Sequence, residues 1–296
     1  MADAPRPRRS VLYMPGSNVR ALEKARVLPA DGLILDLEDA VAPDAKETAR
    51  AQIVETLRAG GYGKRELIAR VNGLDTSWGE ADVRAIATSA ADALLIPKVE
   101  SAAGVRRVEE IMRSAGAPDR LSIWCMIETP QGVLNAAEIA RAGPRVGCFV
   151  MGTSDLAKDL RAAHTRERLP MLASLGLCIL AARAAGIAIL DGVHLDLNDD
   201  EGFAYSCQQG KELGFDGKTL IHPKTIATAN RIFAPSPEEV AWSNTIIAAH
   251  GEATKAGKGV VVVDGRLIEN LHVAAAHRLV ALADAIRERD AGATSA

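Results

Sequence analysis

The sequence predicts an α/β chain folded as a (β/α)8 TIM barrel with a C-terminal helical extension. Three observations predict it. Short apolar, β-branched runs recur eight times in the first three-quarters of the 296 residues. Stretches rich in Ala, Leu, Arg and Glu, with helical spacing, lie between them. The repeat averages about 28 residues, the arithmetic of eight strand–helix units closed into one barrel. Strict alternation of strand and helix makes the strands parallel.

The strands read, in order, as Ser10–Pro15, Gly32–Asp39, Glu66–Asn72, Ala93–Val99, Ser122–Thr129, Val146–Gly152, Ala188–His194 and Gly217–Pro223. Between them, Ala45–Ala59, Gly79–Ser89, Ala102–Ser114 and Gly132–Ala142 space their apolar residues as amphipathic helices do. A doubly wound sheet is the rival fold. It would show fewer strands and a glycine fingerprint after the first, whereas here the first turn reads Pro15-Gly16-Ser17-Asn18. Gly217-Lys218-Thr219 has the ending of a phosphate loop. Glu212 stands where the leading glycine belongs, however, and the triplet opens a strand instead of following one. Past Pro223, Ser236-Pro237-Glu238-Glu239 starts a helix that runs to about His250: serine caps, proline enters first, two acids follow. A run Val260–Val263, a turn at Asp264-Gly265 and a final helix ending near Arg289 complete the chain. The organisation is a loose tail over residues 1–9, a catalytic barrel over 10–235, and an extension over 236–296 that covers the barrel or docks on an adjacent subunit.

Composition excludes several classes. With 48% hydrophobic and 25% charged residues the chain buries a sizeable core, unlike a disordered protein. A net charge of -3 and 3% aromatics offer neither a basic excess for phosphates nor stacking platforms, so nucleic acid is not a partner. No apolar run approaches the roughly 18–20 residues of a membrane span, and no apolar segment follows Arg8 and Arg9 to make a signal peptide. Cys125, Cys148, Cys178 and Cys207 form no C-x-x-C pair. They read as reduced, buried thiols of a cytoplasmic protein.

Barrels collect their chemistry at the carboxyl ends of the strands. Those ends hold Asp36, Glu38 and Asp39 on the second strand, Arg70 and Asn72 on the third, Lys98 and Glu100 on the fourth, and Glu128 on the fifth. Ser154 and Asp155 close the sixth, Asp191 and His194 the seventh, His222 the eighth. Arg70 shares a strand face with Ile68, and Glu128 with Trp124 and Met126. A charge ending an apolar face is costly unless paired or bound to a metal. Two arrangements relieve the crowding of carboxylates: a divalent cation with oxygen ligands, Mg2+ rather than zinc, or a ring of salt bridges with Arg70 and Lys98. Lys98 as a Schiff-base lysine is disfavoured, because surrounding carboxylates raise its pKa. His222 reads as a scaffold histidine.

The stretches Arg9–Gly16 (RSVLYMPG), Leu33–Pro43 (LILDLEDAVAP), Arg70-Val71-Asn72, Ile96–Glu100 (IPKVE), Ile127-Glu128-Thr129, Gly152–Leu156 (GTSDL) and Gly214–Pro223 (GFDGKTLIHP) resemble, in order and spacing, the citrate lyase β-subunit family. That family includes citryl-CoA, malyl-CoA and citramalyl-CoA lyases, within a wider group that holds the HpcH/HpaI metal aldolases. The resemblance spans about residues 9–275. It implies the barrel, Mg2+ (or Mn2+), CoA as part of the substrate, and a C–C bond made or broken beside a thioester. It makes Glu128 and Asp155 metal ligands, Glu128 a substrate contact as well, and Arg70 the contact to substrate oxygen. It places Tyr13, Arg20 and Lys24 where relatives hold the CoA moiety. Asp191 is a further candidate contact to the CoA arm.

The mechanism the resemblance implies is cleavage of a 3-hydroxyacyl-CoA of malyl, citramalyl or citryl type to acetyl-CoA and a 2-oxo acid. Arg70 stabilises the moving negative charge, and a carboxylate takes the hydroxyl proton. Asp39, Glu38 and an acid from the extension are the candidates. In thioesterase and citramalyl-CoA lyase relatives an aspartate after a D-G-x-x-[IV]-like turn reaches an adjacent subunit. Here Asp264-Gly265-Arg266-Leu267-Ile268 leads to Glu269, one methylene longer, which leaves the choice between C–C cleavage and thioester hydrolysis open. The partners implied are an acyl-CoA, a 2-oxo acid and further copies of the chain, as a trimer or hexamer. Two other readings stand beside this one: a metal-dependent aldolase on free 2-oxo acids, and a β-type subunit dependent on a larger complex.

Overall fold

The computed structural model describes residues 5–293. Eight parallel strands close into a barrel in sequence order: β1 Ser10–Pro15, β2 Gly32–Asp36, β3 Glu66–Arg70, β4 Ala93–Ile96, β5 Ser122–Ile127, β6 Val146–Met151, β7 Ala188–Asp191 and β8 Gly217–Leu220. Strand periodicity sorts the apolar residues into two cores. Val11, Ile34, Ile68, Leu95, Trp124, Met126, Val150 and Leu190 fill the interior. Leu33, Leu35, Ile123, Cys125, Phe149 and Ile189 point outward, under the helices. The helix Ala102–Ser114 shows how that layer is seated. Ser101 caps it, accepting the Gly104 N–H at 3.2 Å, and Val105, Val108, Ile111 and Met112 form one buried face. Each such side chain contributes about 1.5–3 kcal/mol on burial, so Val108→Asp is the change that would unseat it.

All the strands but β1 end earlier than their apolar runs suggest. β2 stops at Asp36 because its own carboxylate accepts the Glu38 and Ala40 N–H groups at 2.9 and 3.2 Å and turns the chain. The helix expected over Gly132–Ala142 is two short pieces, broken where Asn135 turns aside to donate to the Glu100 carbonyl at 2.7 Å. β6 carries one extra residue. Ile123 pairs with Val146, but Trp124 pairs with Cys148, leaving Gly147 as a bulge.

The loose tail expected over residues 1–9 is corrected at its end. Arg8 donates twice to Glu66, at 2.7 and 2.8 Å, with its guanidinium 5.0 Å from the centroid of the Trp124 ring. Arg9 is buried against Asp31 at 2.9 Å. Glu66 and Asp31, at the starts of β3 and β2, need these cations, so both arginines belong to the barrel floor. Residues 1–4 of that tail lie outside the described residues.

The chain divides into two compact units, Arg8–Phe233 and residues 234–293 with residues 5–7. In the second, the helix Pro237–Lys255 starts in a complete capping box between Ser236 and Glu239. β9 (Val261–Val263) and β10 (Arg266–Ile268) form an antiparallel hairpin. Its two-residue turn puts Asp264 and Gly265 both at positive φ, 46° and 74°, the geometry that D-G sequences favour. Helix Asn270–Ala293 follows, and Ile246, Ile268 and Ala276 form a small core. The extension is therefore helical with a hairpin, whose second strand is too short and too charged to register as a strand in sequence. Among the described residues no helix is long and apolar enough to cross a membrane.

Candidate active site

The carboxyl ends of β2 and β3 are joined by one guanidinium. Arg70 faces the interior and donates through Nε to Asp36 Oδ1 at 2.6 Å and through Nη2 to Asp36 Oδ2. Its Nη1 lies 2.7 Å from Glu38 Oε2 and 3.4 Å from Asp39 Oδ2. Asp36 is itself pinned by two backbone N–H groups, so the arginine is held like a fork in a fixed rest. The guanidinium sits 5.0 Å from the Tyr13 ring centroid, within cation–π range. Burial pushes the Tyr13 hydroxyl pKa up, against the pull of Arg70.

Across the mouth Lys98 is wound into the left-handed region, φ 48°, which a side chain with a Cβ adopts only at a cost. That turn aims its N–H at Glu128 Oε1, 2.7 Å away, while Nζ reaches Glu38 Oε1 at 2.7 Å. Burial, with the charges of Glu38 and Asp155 adding to it, pushes the Glu128 carboxyl up to about 7 against the Lys98 hydrogen bond. The bulge at Gly147 sets β6 so that Ile127 pairs with Met151. The next residues, Glu128 and Gly152, are then neighbours, and any Cβ at 152 would collide with the Glu128 carboxylate. Asp155 follows three residues later, in the first turn of the helix Thr153–Leu160.

Arg70, Glu128 and Asp155 line one cavity of about 320 Å³. Tyr13, Met126, Met151, Val193 and Ile221 supply a largely apolar wall, and Asp39, Ser154 and Thr219 complete the polar part. Among the described residues no group of three or more His, Cys, Asp or Glu is arranged around a metal position. Two hard carboxylates facing one cavity do suit Mg2+, which takes one or two carboxylates and fills its octahedron with water and substrate oxygen. Zinc, with its nitrogen and sulfur ligands, does not fit this donor set.

A family model described as HpcH/HpaI aldolase/citrate lyase matches residues 9–223. The chain belongs to the HpcH/HpaI aldolase/citrate lyase family. Within it the chain is an enzyme of the citrate lyase β-subunit-like kind, a lyase. A (3S)-malyl-CoA thioesterase of Cereibacter sphaeroides strain KD131 is 54% identical over 286 residues, 97% of this chain and 98% of its own. A citrate lyase subunit beta of Leuconostoc mesenteroides subsp. cremoris is 36% identical over 283 residues, 94% of each. Among solved structures, CitE from Mycobacterium tuberculosis in complex with magnesium, acetoacetate and coenzyme A aligns with TM-score 0.74 and 29% identity, over 93% of this chain and 97% of that one.

In this family member the structure separates the candidates read from sequence. Asp39 lines the cavity and its side chain is 64% exposed. Glu38 does not line it and is held between Arg70 and Lys98. Burial raises the Glu38 pKa, against the opposing pull of those two cations. Tyr13 stands in the wall against Arg70, while Arg20 and Lys24 are exposed on the helix Val19–Ala25 that follows β1. Lys98 is no Schiff-base lysine: desolvation would lower its pKa, but Glu38 outweighs it and pushes it up to about 12. His222 accepts the Lys224 N–H at 3.1 Å and caps a short helical turn, a scaffold role. Glu269 is exposed in the second unit, its N–H donating to His272 Nδ1 at 3.0 Å. All four cysteines are free and buried.

Asp191 is a correction. Ala188 and Leu190 face the barrel interior, so Asp191 faces outward, fully buried under the helix Asp200–Leu213. Its carboxylate accepts Lys218 Nζ at 2.8 Å and Arg168 Nη1 at 2.7 and 2.8 Å. Desolvation alone would raise its pKa, but the two cations hold it below the usual carboxylate range. It cannot touch a CoA arm. Arg168 itself was invisible in sequence, since a loop arginine announces no partner. The register partner of Asp191 is Lys218, and strand parity was the signal that could have found that pair.

Proposed function

We propose that this chain is a Mg2+-dependent CoA-ester lyase that cleaves or forms the C–C bond of a 3-hydroxyacyl-CoA of malyl type, giving acetyl-CoA and a 2-oxo acid. The observation that carries this is one small cavity lined by a clamped Arg70 and by two carboxylates, Glu128 and Asp155. Glu128 and Asp155 would hold the metal, which supplies Lewis-acid charge for substrate oxygens. Arg70 has spent Nε on Asp36 and shares Nη1 and Nη2 with carboxylates. The one N–H left over, on Nη2, meets the oxygen on which charge develops, in an orientation fixed before substrate arrives. Asp39, accessible at the cavity, takes the hydroxyl proton. The C–C bonding electrons pass into the thioester enolate, and a proton returned to its carbon completes acetyl-CoA. Met126, Met151 and Ile221 keep water from quenching that enolate. Arg20 and Lys24 meet the CoA phosphates, and Tyr13 belongs to the reacting end, beside Arg70. The enzyme works in the cytoplasm as a homo-oligomer. Exposed Val262, Leu267 and Leu271 around the hairpin support docking of the extension on a second copy, where Glu269 would act.

A second reading, hydrolysis of the thioester, is favoured by the thioesterase relatives that cover 97% of this chain. One assay tests both. The purified protein, with and without Mg2+, is offered malyl-CoA, citramalyl-CoA and citryl-CoA, and acetyl-CoA, 2-oxo acid and free CoA are followed separately. Mg2+-dependent acetyl-CoA with a 2-oxo acid is the expected result. Free CoA with malate establishes hydrolysis instead, and no turnover on any thioester removes the free-standing enzyme.

A further inference from the structure

Beside the reaction cavity lies a second one, of about 380 Å³, between the 160s loop and the segment after β7. The two share Thr153 and Val193 in their walls. Arg168 enters the second from a left-handed backbone turn, φ 53°. Its Nε is spent on Gln209 at 2.7 Å and its Nη1 on Asp191. Nη2 is buried with no hydrogen-bond partner in the protein, and so is Nε2 of His194, with Asp199 Oδ2 3.8 Å away. Both residues line this cavity. Two buried polar atoms without partners in one place are rare, because each costs about 1–3 kcal/mol left unpaired.

Charge points the same way. Behind the cavity one carboxylate, Asp191, serves two cations, Arg168 and Lys218. The buried triad thus carries one positive charge in excess. A ligand with a negative oxygen supplies both the counter-charge and the hydrogen-bond acceptor. The hydroxyls of Thr165 and Ser206 also line the space and can serve a second oxygen. The rest of the lining is mixed in charge, with Asp196, Asp199 and Glu201 beside Arg166 and His164. Three carboxylates around the space disfavour a multiply charged anion more than a singly charged one.

We propose that this cavity is a second ligand site, for a small monocarboxylate, with Arg168 and His194 as its donors and with a wall in common with the reaction cavity. Its occupant sits next to the acyl group without replacing it. The site does not depend on which reaction the neighbouring cavity performs.

The test is the thermal stability of the full-length protein with Mg2+, titrated with propionate against matched sodium chloride. Malonate and inorganic phosphate are the comparison anions. Wild type should gain stability with propionate beyond the salt control. Arg168→Lys keeps the charge beside Asp191 but loses the planar fork, so its apparent Kd should rise by about tenfold or more. His194→Phe keeps a ring against Phe203 and should also weaken binding, which decides the matter should the lysine variant fold poorly. Glu128→Gln, in the reaction cavity, should leave the propionate effect in place. An unchanged Kd in both the Arg168 and His194 variants overturns the site. Loss of the effect in Glu128→Gln places the anion in the reaction cavity and overturns it too. Phosphate binding as tightly as propionate overturns the carboxylate assignment.

Discussion

At the amino end of the barrel Arg8 meets Glu66 at 2.7 Å, Arg9 meets Asp31 at 2.9 Å and Arg183 meets Asp216 at 2.9 Å. At the carboxyl end two cations, Arg70 and Lys98, stand among five carboxylates: Asp36, Glu38, Asp39, Glu128 and Asp155. The first end is matched pair by pair, and its charges fix the strand starts. The second gathers more carboxylates than the cations paired with them. Such an excess opposes folding unless a cation or a substrate answers it; at Glu128, burial first and the charges of Glu38 and Asp155 after it hold the carboxyl up at about 7. Matched charge fixes the strand starts, while Asp36, Asp39, Glu128 and Asp155 gather around one cavity.

The comparison breaks first where the excess is removed. Glu128→Gln combined with Asp155→Asn should abolish Mg2+ binding by calorimetry and lower turnover by more than about a thousandfold, since ligands matter more than the outer-shell groups whose loss costs about 10–100-fold. A variant still binding Mg2+ with wild-type affinity would place the metal elsewhere. Next comes Asp191, a matched charge that belongs with the floor pairs in kind. Asp191→Asn strands the buried Lys218 and the half-buried Arg168 and should cost about 3 kcal/mol or more of stability in denaturant. The pH sign follows from its lowered pKa. The stabilisation is fully present above the unfolded value of about 4 and is lost as pH falls through the folded one. The gap between wild type and variant should therefore be full at neutral pH and close in acid.

Arg70→Lys should lower kcat by about a hundredfold, the scale of one lost oxyanion donor, with a smaller change in melting temperature than Asp191→Asn. An equal fall in both variants' stability would erase the distinction between the two kinds of charge. The smallest effect sharpens the substrate. Arg20→Ala should raise KM for a CoA thioester by about fivefold, the range of an exposed charge contact, and leave kcat alone. A free aldol substrate should not feel the change.

The barrel was legible because its signal is periodic. Eight apolar runs at even spacing have one economical closure, and β1 and the helix Ala102–Ser114 fall where sequence puts them. Strand ends were less legible, because the polar residues that close a strand also continue its alternation. Asp36 ends β2 because its side chain accepts the Glu38 and Ala40 N–H groups, which spacing does not reveal. Arg70 and Glu128 were found by strand parity, which works wherever a charge shares a face with apolar neighbours. Asp191 was misread because its position at a strand end was weighed without that parity. Arg8 and Arg9 looked like tail residues because their partners lie 58 and 22 residues away.

The single extra residue at Gly147 bears on how this chain can change over generations. Substitutions along β6 alter one contact at a time. Loss of the one codon at 147 would leave Val146 opposite Ile123 and Cys148 opposite Trp124, with Val146 still facing outward and Cys148 inward, so the later side chains of the strand would keep their faces. Within β6, position 147 is thus a place where the chain can change length by one residue without exchanging the inner face of the strand for the outer.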